Sequence, residues 1–431
     1  MYYNVNTQRI LARNTFASND TWTTGLNNND LLVGPSGAGK TRGYVIPNLL
    51  HAGESLIVAD TKGNLRRLYG KHLEEKGYTV MHLDFTDVAS TPWGYNPLTY
   101  IRPCRDAAAN QDGDWYSEQD VKKVAQAVCP CKDFSEPYWD LAAQMYLEAI
   151  LLFILNQLPE EQHTLYDAYT FLSQMGSPEL EDMVEEERIA HPHSAFARKM
   201  GMILQNKKAD KMDASIKGIL ARHLDVLANS GTRRMFRMER QVDLGAFLKG
   251  KTALFLSVSD SDRSQDALVN LFYTQALQYL MSAADLQPDS RLPIPVRFIL
   301  DDFSTNTLIP EFDKIISVIR SREIYVSLIV QSLSQLEDLY GHAKAQTIIN
   351  NCDHCLYLGG TDTQTARYFA EKFNCQVSTV LNLPLDSAFL FTRGSQPRRV
   401  EKYELNRDSA YRSLKAPQDK GEANFGKECG M

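Results

Sequence analysis

The sequence predicts an α/β fold in which a parallel central sheet, with helices on its faces, is interrupted by an all-α domain. Three observations predict it. Short apolar runs alternate with helical stretches over the first hundred residues, a long middle stretch shows helical periodicity only, and the alternation resumes near residue 251. A chain of 431 residues suits two or three domains rather than one. The boundaries fall at 1–108 and 241–400 for the two parts of the α/β domain, 109–240 for the insertion and 401–431 for a polar, flexible tail.

The first part opens with "DLLVG" (30–34) and "SLIVAD" (55–60), which read as buried strands, followed by "TVMHLDF" (79–85). Between them lie the helix after a glycine-rich loop and the helical stretch "NLRRLYGKHLEEKG". In the insertion, "EPYWDLAAQMYLEAILLFILNQL" repeats apolar residues at helical spacing over several turns. "TLYDAYTFLSQM", "PELEDMVEEERIA" and "ASIKGILARHLDVLAN" are further helices, and no strand pattern appears there. The α/β rhythm returns with the strand "TALFLSV" (252–258), the helix "DALVNLFYTQALQYLMSAA" and the strand "VRFILDD" (296–302). "EIYVSLIVQS" (323–332) and "CLYLGG" (355–360) are the last strand candidates. From about Gln396 the chain turns polar, and "APQDKGEANFGKECGM" has the composition of a disordered end.

The loop after the first strand carries the chemistry. Gly34-Pro35-Ser36-Gly37-Ala38-Gly39-Lys40-Thr41 satisfies G-x-x-x-x-G-K-[ST] between a strand and a helix, as a P-loop NTPase requires. Glycines let backbone N–H groups converge on phosphates. Lys40 is placed to reach the β- and γ-phosphates of ATP, and Thr41 to put its hydroxyl on Mg2+. The acid that completes such a site stands at the end of an apolar strand: Asp301 as the Mg2+ partner and Asp302 as the group that polarises the attacking water. Gln331, closing "IYVSLIV", is positioned to sense the γ-phosphate, and Arg320 or Arg322 to reach into a neighbouring subunit's site. Paired carboxylates and a glutamine also occur in ordinary turns, and the two arginines read equally well as solvated surface groups. No N-K-x-D base-reading motif for GTP is present, and small-molecule kinases rarely carry so large a helical insertion. The order of pieces therefore predicts a RecA-like ring ATPase.

Bulk properties narrow the setting. The net charge of −7 excludes a uniformly basic nucleic-acid binder, so a polyanion would need a local basic surface. Candidates are Lys207, Lys208, Lys211 and Lys217, and the run Arg233, Arg234, Arg237 and Arg240; each cluster also reads as a solvated helix face. No h-region opens the chain, and "YLEAILLFIL" (146–155) is too short to span a bilayer and contains Glu148, so a cytosolic protein is expected. Cys352 and Cys355 have C-x-x-C spacing but run into a buried strand, without a second pair of matching spacing.

The ordered series "NNNDLLVGPSGAGKTRGYVIPNLL", "IVADTKGN", "GYTVMHLDF", "WGYNPL", "PYWDLAAQMYLEAIL", "FILDDFSTN", "IISVIRSREIYVSLIVQSLSQLEDLYG" and "NNCDHCLYLGGTDTQTARYFA" resembles the type IV secretion coupling proteins. These are TraG/TraD-type conjugative DNA translocases, and the likeness is strongest to those on mobile elements of Gram-positive bacteria. It extends from about residue 8 to residue 375. The resemblance implies a homo-hexameric ring that carries single-stranded DNA with its relaxase to the secretion channel, and a helical domain linked to substrate recognition. It also implies Gln331 as phosphate sensor and Arg320 as the residue reaching the next subunit. The chain departs from that pattern twice. It lacks the usual N-terminal transmembrane helices, which implies a truncated or soluble member, or membrane attachment through a separate anchor. The usual Asp-Glu pair is Asp301-Asp302, one methylene shorter, which implies slow hydrolysis or a nucleotide-gated adaptor that recruits substrates without much hydrolysis.

Overall fold

The computed structural model describes residues 8–131, 136–206, 210–259, 261–303 and 308–415. Its strands in chain order are β1 (Gln8–Ala12), β2 (Thr15–Ser18), β3 (Asp30–Val33), β4 (Ser55–Asp60), β5 (Thr79–Asp84), β6 (Thr252–Ser257), β7 (Val296–Leu300), β8 (Ile324–Val330), β9 (His354–Tyr357), β10 (Ser387–Thr392) and β11 (Arg398–Glu401). β1 and β2 pair as an antiparallel hairpin. Among the described residues the other nine form one sheet in the order β11-β10-β9-β3-β8-β7-β4-β6-β5. The run from β9 through β6 is parallel, while β10 and β11 add an antiparallel edge. Every residue of β3, β4, β6, β7 and β8 is buried, which is why each reads as a mainly apolar run rather than an alternation, broken within the strands at Arg297 in β7 and Ser327 in β8.

Two compact units make up the chain: Met1–His82, Leu244–Asp260 and Leu280–Met431 form one, and Leu83–Asp243 with Ser261–Tyr279 the other. The helical unit therefore begins before residue 109 and takes in most of the helix Asp266–Asp285, which the sequence assigned to the α/β part. Long-range contacts explain the difference. Tyr95 stacks edge-on against Phe272 at 5.2 Å, and its hydroxyl donates to Gln275 Oε1 at 2.5 Å.

Within the helical unit, Tyr138–Gln157 is packed by Glu118–Val128, Leu165–Gln174, Ala195–Asn206 and Asp210–Asp225. It is twice as long as the ten-residue run noted in the sequence. By length and composition it is, among the described residues, the one helix that could cross a membrane. From Ala142 to Leu155 its apolar residues point in all directions and nearly all are buried, as befits a central core helix, while Tyr138 and Leu141 in its first turn are exposed. Glu148 is buried there too, and Lys199 holds it at 2.6 Å.

In the α/β unit, Leu32, Val58, Phe255, Ile299 and Ile329 from five strands pack with Val45, Leu49, Tyr69 and Leu73 from the two helical stretches that follow β3 and β4. Each such side chain is worth about 1.5–3 kcal/mol when buried. The same core includes Leu405 and Tyr411, from the segment expected to be a flexible tail. Residues 405–407 and 409–415 are helical. The tail expectation therefore fails as far as residue 415, and 416–431 lie outside the described residues.

A buried polar cluster spans the amino ends of the parallel strands. Arg9 clasps Asp30 with two hydrogen bonds, at 2.6 and 2.8 Å. Arg297 pairs with Glu54 and lies 3.5 Å from Asp30, while the Tyr44 hydroxyl donates to the same carboxylate. Arg9 Nη2 also lies 3.3 Å from His354 Nδ1. Burial pushes His354 down to about 4, helped by the charges of Arg9 and Arg297 and opposed by Asp30 and Asp353. Folding therefore favours neutral His354, whereas the unfolded chain takes up a proton below the ordinary histidine value. We expect stability to fall as pH drops from 6.5 to 4, with His354 contributing on the order of 2–3 kcal/mol of the loss. Urea denaturation at pH 7 and pH 4.5, compared with His354→Asn, measures that share; equal pH sensitivity in the variant contradicts it.

Candidate functional site

Three neighbouring strands, β3, β8 and β7, end at the same edge of the sheet. The residue after each is part of the candidate site: Gly34, Gln331 and Asp301. Gly34 N–H donates to Val330 O at 3.1 Å, extending the β3–β8 ladder by one step. A Cβ on Gly34 would lie 2.9 Å from Leu358 Cβ, so only glycine fits where the loop leaves the sheet. Gly37 (φ 79°) and Gly39 (φ 90°) adopt left-handed backbone that other residues resist. The chain then coils through Thr41–Val45 as a π-helical turn and Ile46–Leu50 as α-helix.

Lys40 is buried and folds back over the loop. Its Nζ donates to Gly34 O at 2.7 Å and Pro35 O at 3.3 Å, and lies 3.8 Å from Asp302 Oδ1. Thr41 Oγ1 donates to Asp301 Oδ2 at 2.7 Å. Asp301 Oδ1 accepts the Asp302 backbone N–H at 3.1 Å, and Gln331 Nε2 lies 3.5 Å from Asp302 Oδ1. The structure thus brings together Lys40, Thr41, Asp301, Asp302 and Gln331. Burial raises the Asp301 pKa, and the Asp302 charge adds to this; the Thr41 hydrogen bond and Lys40 oppose it. Asp302 has a left-handed backbone, φ 51°, unusual for a residue other than glycine but better tolerated by aspartate than by most.

Beside β7, β4 ends in Asp60, whose buried carboxylate accepts the N–H groups of Asn64, Leu65 and Arg66 at 2.7–3.2 Å and so caps the next helix. Arg320 lies elsewhere. It belongs to the turn Ile319–Arg322 before β8, at the opposite edge of the sheet from the loop, and donates to Thr21 O at 3.0 Å. Arg322 pairs with Asp285 at 2.8 Å. Neither arginine approaches Lys40 within the chain.

One residue at the loop escaped the sequence reading. Lys402 Nζ donates to Ala38 O at 3.0 Å and Leu358 O at 2.9 Å. It lies in a polar stretch with no local motif, so no sequence signal marks it.

The candidate polyanion clusters are largely engaged. Arg233 lies over Tyr166 and Arg240 over Trp93, at 4.9 and 3.9 Å. Arg237 pairs with Asp167 at 2.7 Å, Arg234 donates to Ala89 O, and Lys217 pairs with Asp213 at 2.8 Å. Lys207 and Lys208 lie outside the described residues. Cys352 and Cys355 are buried, with burial pushing both thiols up, Cys355 to about 12. Among the described residues no cluster of three or more His, Cys, Asp or Glu could hold a metal ion.

A parallel sheet whose strand ends gather a glycine loop, an acidic pair and a glutamine defines a RecA-like nucleotide-binding fold. Residues 3–375 match the family model described as "Type IV secretory system Conjugative DNA transfer", and the chain belongs to that family. It is similar to protein VirD4 of Rhizobium rhizogenes, 24% identical over 360 residues, covering 81% of this chain and 50% of the relative. It is also similar to the conjugal transfer protein TraG of Escherichia coli, 23% identical over 344 residues, covering 75% and 51%. The chain thus spans about half the length of these relatives. Among solved structures it resembles the plasmid coupling protein TrwB in complex with ADP and Mg2+, with TM-score 0.69, 14% identity, and 95% and 92% of the two chains covered.

The raised Asp301 pKa yields a test. A carboxyl whose folded pKa is raised subtracts stability once pH passes its ordinary value of 3.8. Asp301→Asn keeps an oxygen to accept from Thr41, gives up the weaker 3.1 Å acceptor for the Asp302 N–H, and removes the charge. We expect the ligand-free variant to melt higher than wild type at pH 7, with the gain shrinking toward pH 4. An unchanged or lower melting temperature at pH 7 contradicts this.

Proposed function

We propose that the chain is the nucleotide-driven motor part of a conjugative coupling protein, using ATP with Mg2+ to move single-stranded DNA and its relaxase toward a type IV secretion channel. The observation that carries the reading is the convergence of Lys40, Thr41, Asp301, Asp302 and Gln331 at one sheet edge. The residues fit a nucleotide. Glycine backbone lets the loop curl, and a buried ammonium rests on loop carbonyls that a phosphate can replace as partner. The Thr41–Asp301 pair supplies two hard oxygens of the kind Mg2+ takes. Bound Mg2+ would supply charge neutralisation at the phosphates.

In this mechanism the loop residues 34–39 cradle the phosphates through backbone N–H groups and Lys40 turns from Gly34 O toward them. Thr41 and Asp301 hold the cation. Asp302 orients and deprotonates the attacking water, and Gln331 reports on the terminal phosphate. Arg320 completes a neighbouring subunit's site, for which its place at the far edge of the sheet suits it; the assembly is a ring of six. The chain works at the cytoplasmic face of the membrane.

The second reading is a nucleotide-gated adaptor that recruits secretion substrates and hydrolyses little. The short Asp302 side chain favours it, because aspartate reaches one methylene less far than glutamate and its carboxylate lies 3.8 Å from Lys40. A base misplaced by about 1 Å can cost on the order of 10²-fold in rate. Steady-state ATP hydrolysis with and without single-stranded DNA, over a range of protein concentrations, separates the readings. The motor predicts cooperative, DNA-stimulated turnover that is lost in Lys40→Ala. Turnover at the Lys40→Ala level in wild type, restored by Asp302→Glu, supports the adaptor instead.

A further inference from the structure

The site described so far ends at Gln331, and the family match ends at residue 375. Beyond both, the chain returns to the glycine loop. β10 and β11 pair with Ser387 opposite Glu401, and Lys402, one residue further, donates its backbone N–H to Asp386 O at 2.8 Å. This fixes where its side chain starts. The ammonium lies between two backbone carbonyls, Ala38 O inside the glycine loop and Leu358 O just past β9.

Both carbonyls belong to segments already in contact. Leu358 N–H donates to Val33 O at 2.8 Å, and Leu358 fills the space that a side chain on Gly34 would need. Lys402 thus ties the far limb of the loop to the strand that supports its near limb.

The same segment grips the helical stretch after the loop. Arg42 donates to Asn406 at 3.1 Å, and His51 Nε2 lies 2.8 Å from Asp408 Oδ2. The Tyr403 hydroxyl and the Tyr411 N–H also donate to Asp408, at 2.6 and 3.1 Å. Glu401 closes the other side with Arg13.

We propose that Lys402 is a positioning residue of the nucleotide site, one that aims the Gly39 N–H into the phosphate cradle by holding the Ala38 carbonyl outward. In a trans peptide the C=O and the following N–H point in opposite directions. A cation on the carbonyl therefore sets the direction of the N–H and strengthens it as a donor. The inference rests on the nucleotide reading above and adds to it that residues 398–411 belong to the site.

Binding of fluorescent N-methylanthraniloyl-ADP with Mg2+ tests it, in wild type, Lys40→Ala, Lys402→Met and Lys402→Arg. Methionine keeps an apolar stem without charge; arginine keeps both charge and donors. Lys402→Met is expected to bind roughly tenfold more weakly than wild type, the scale of one charge-assisted hydrogen bond. Lys402→Arg is expected to recover most of that loss. A second measurement needs no variant. By reciprocity, Mg2+–ADP should slow backbone amide exchange in wild type over 398–404 as well as over 34–41. Wild-type affinity in folded Lys402→Met, arginine failing where methionine fails, or exchange over 398–404 unmoved by nucleotide each overturns the proposal. No saturable binding to wild type overturns the nucleotide reading itself, and this inference with it. Binding by wild type and not by Lys40→Ala keeps the two apart.

Discussion

The architecture depends on Asp30, a carboxylate buried at the start of β3 among two arginines, a tyrosine and a histidine. Burial alone would push its pKa up, but the charges of Arg9 and Arg297 overcome that and hold it below the ordinary value. Arg297 is itself pushed above the ordinary arginine value, because Glu54 and Asp30 together outweigh its own burial. The two cations and two anions are stable in the interior only as a complete set; removing one partner of such a group leaves a buried charge, at about 3–5 kcal/mol. Completing the set requires the β1–β2 hairpin, the starts of β3 and β7, and the segment before β4 to be in place together. It also requires Tyr44, three residues beyond Thr41. The hydroxyl of Tyr44 meets both Asp30 and Ser327, so the helical stretch that presents Lys40 and Thr41 is pinned from beneath the sheet.

What could be read from the sequence follows from burial. β3, β4, β6, β7 and β8 are covered on both faces, and a strand so covered is apolar except where a polar side chain finds a buried partner, as Arg297 does in Glu54 and Asp30. β11, "RRVE", is an exposed edge strand; its partner supplies the hydrogen bonds, so its composition carries no strand signal and suits an edge that must not recruit further strands. The glycine loop and the acidic pair were legible because their chemistry is written in consecutive residues. Lys402 was not, since its contact with Ala38 depends on a hairpin bringing it back over more than three hundred residues. The extent of the helical unit was hidden for the same reason: Tyr95 and Phe272 meet only in the folded chain.

The arginines of 233–240 show the converse, a basic pattern whose partners within the chain the sequence does not specify. Each is committed within the helical unit, to Tyr166, Ala89, Asp167 or Trp93. Guanidinium groups stack on rings and fork onto carboxylates as readily as they meet phosphate, so a basic run in sequence does not specify its partner. Their charge is not cancelled by stacking, and Arg233 and Arg240 still contribute to the field around this unit.

The left-handed backbone at Asp302 narrows which substitutions this position accepts. Asparagine and glycine are the residues that adopt such a conformation most readily, and both lie one base change from an aspartate codon. Either would leave the turn after β7 intact while removing the carboxylate beside Lys40. Glutamate would restore reach but gains nothing from the backbone. At this one position, then, the fold is indifferent to the loss of the acid and resistant to its lengthening. A single base change can therefore remove this carboxylate while the turn after β7 keeps its backbone.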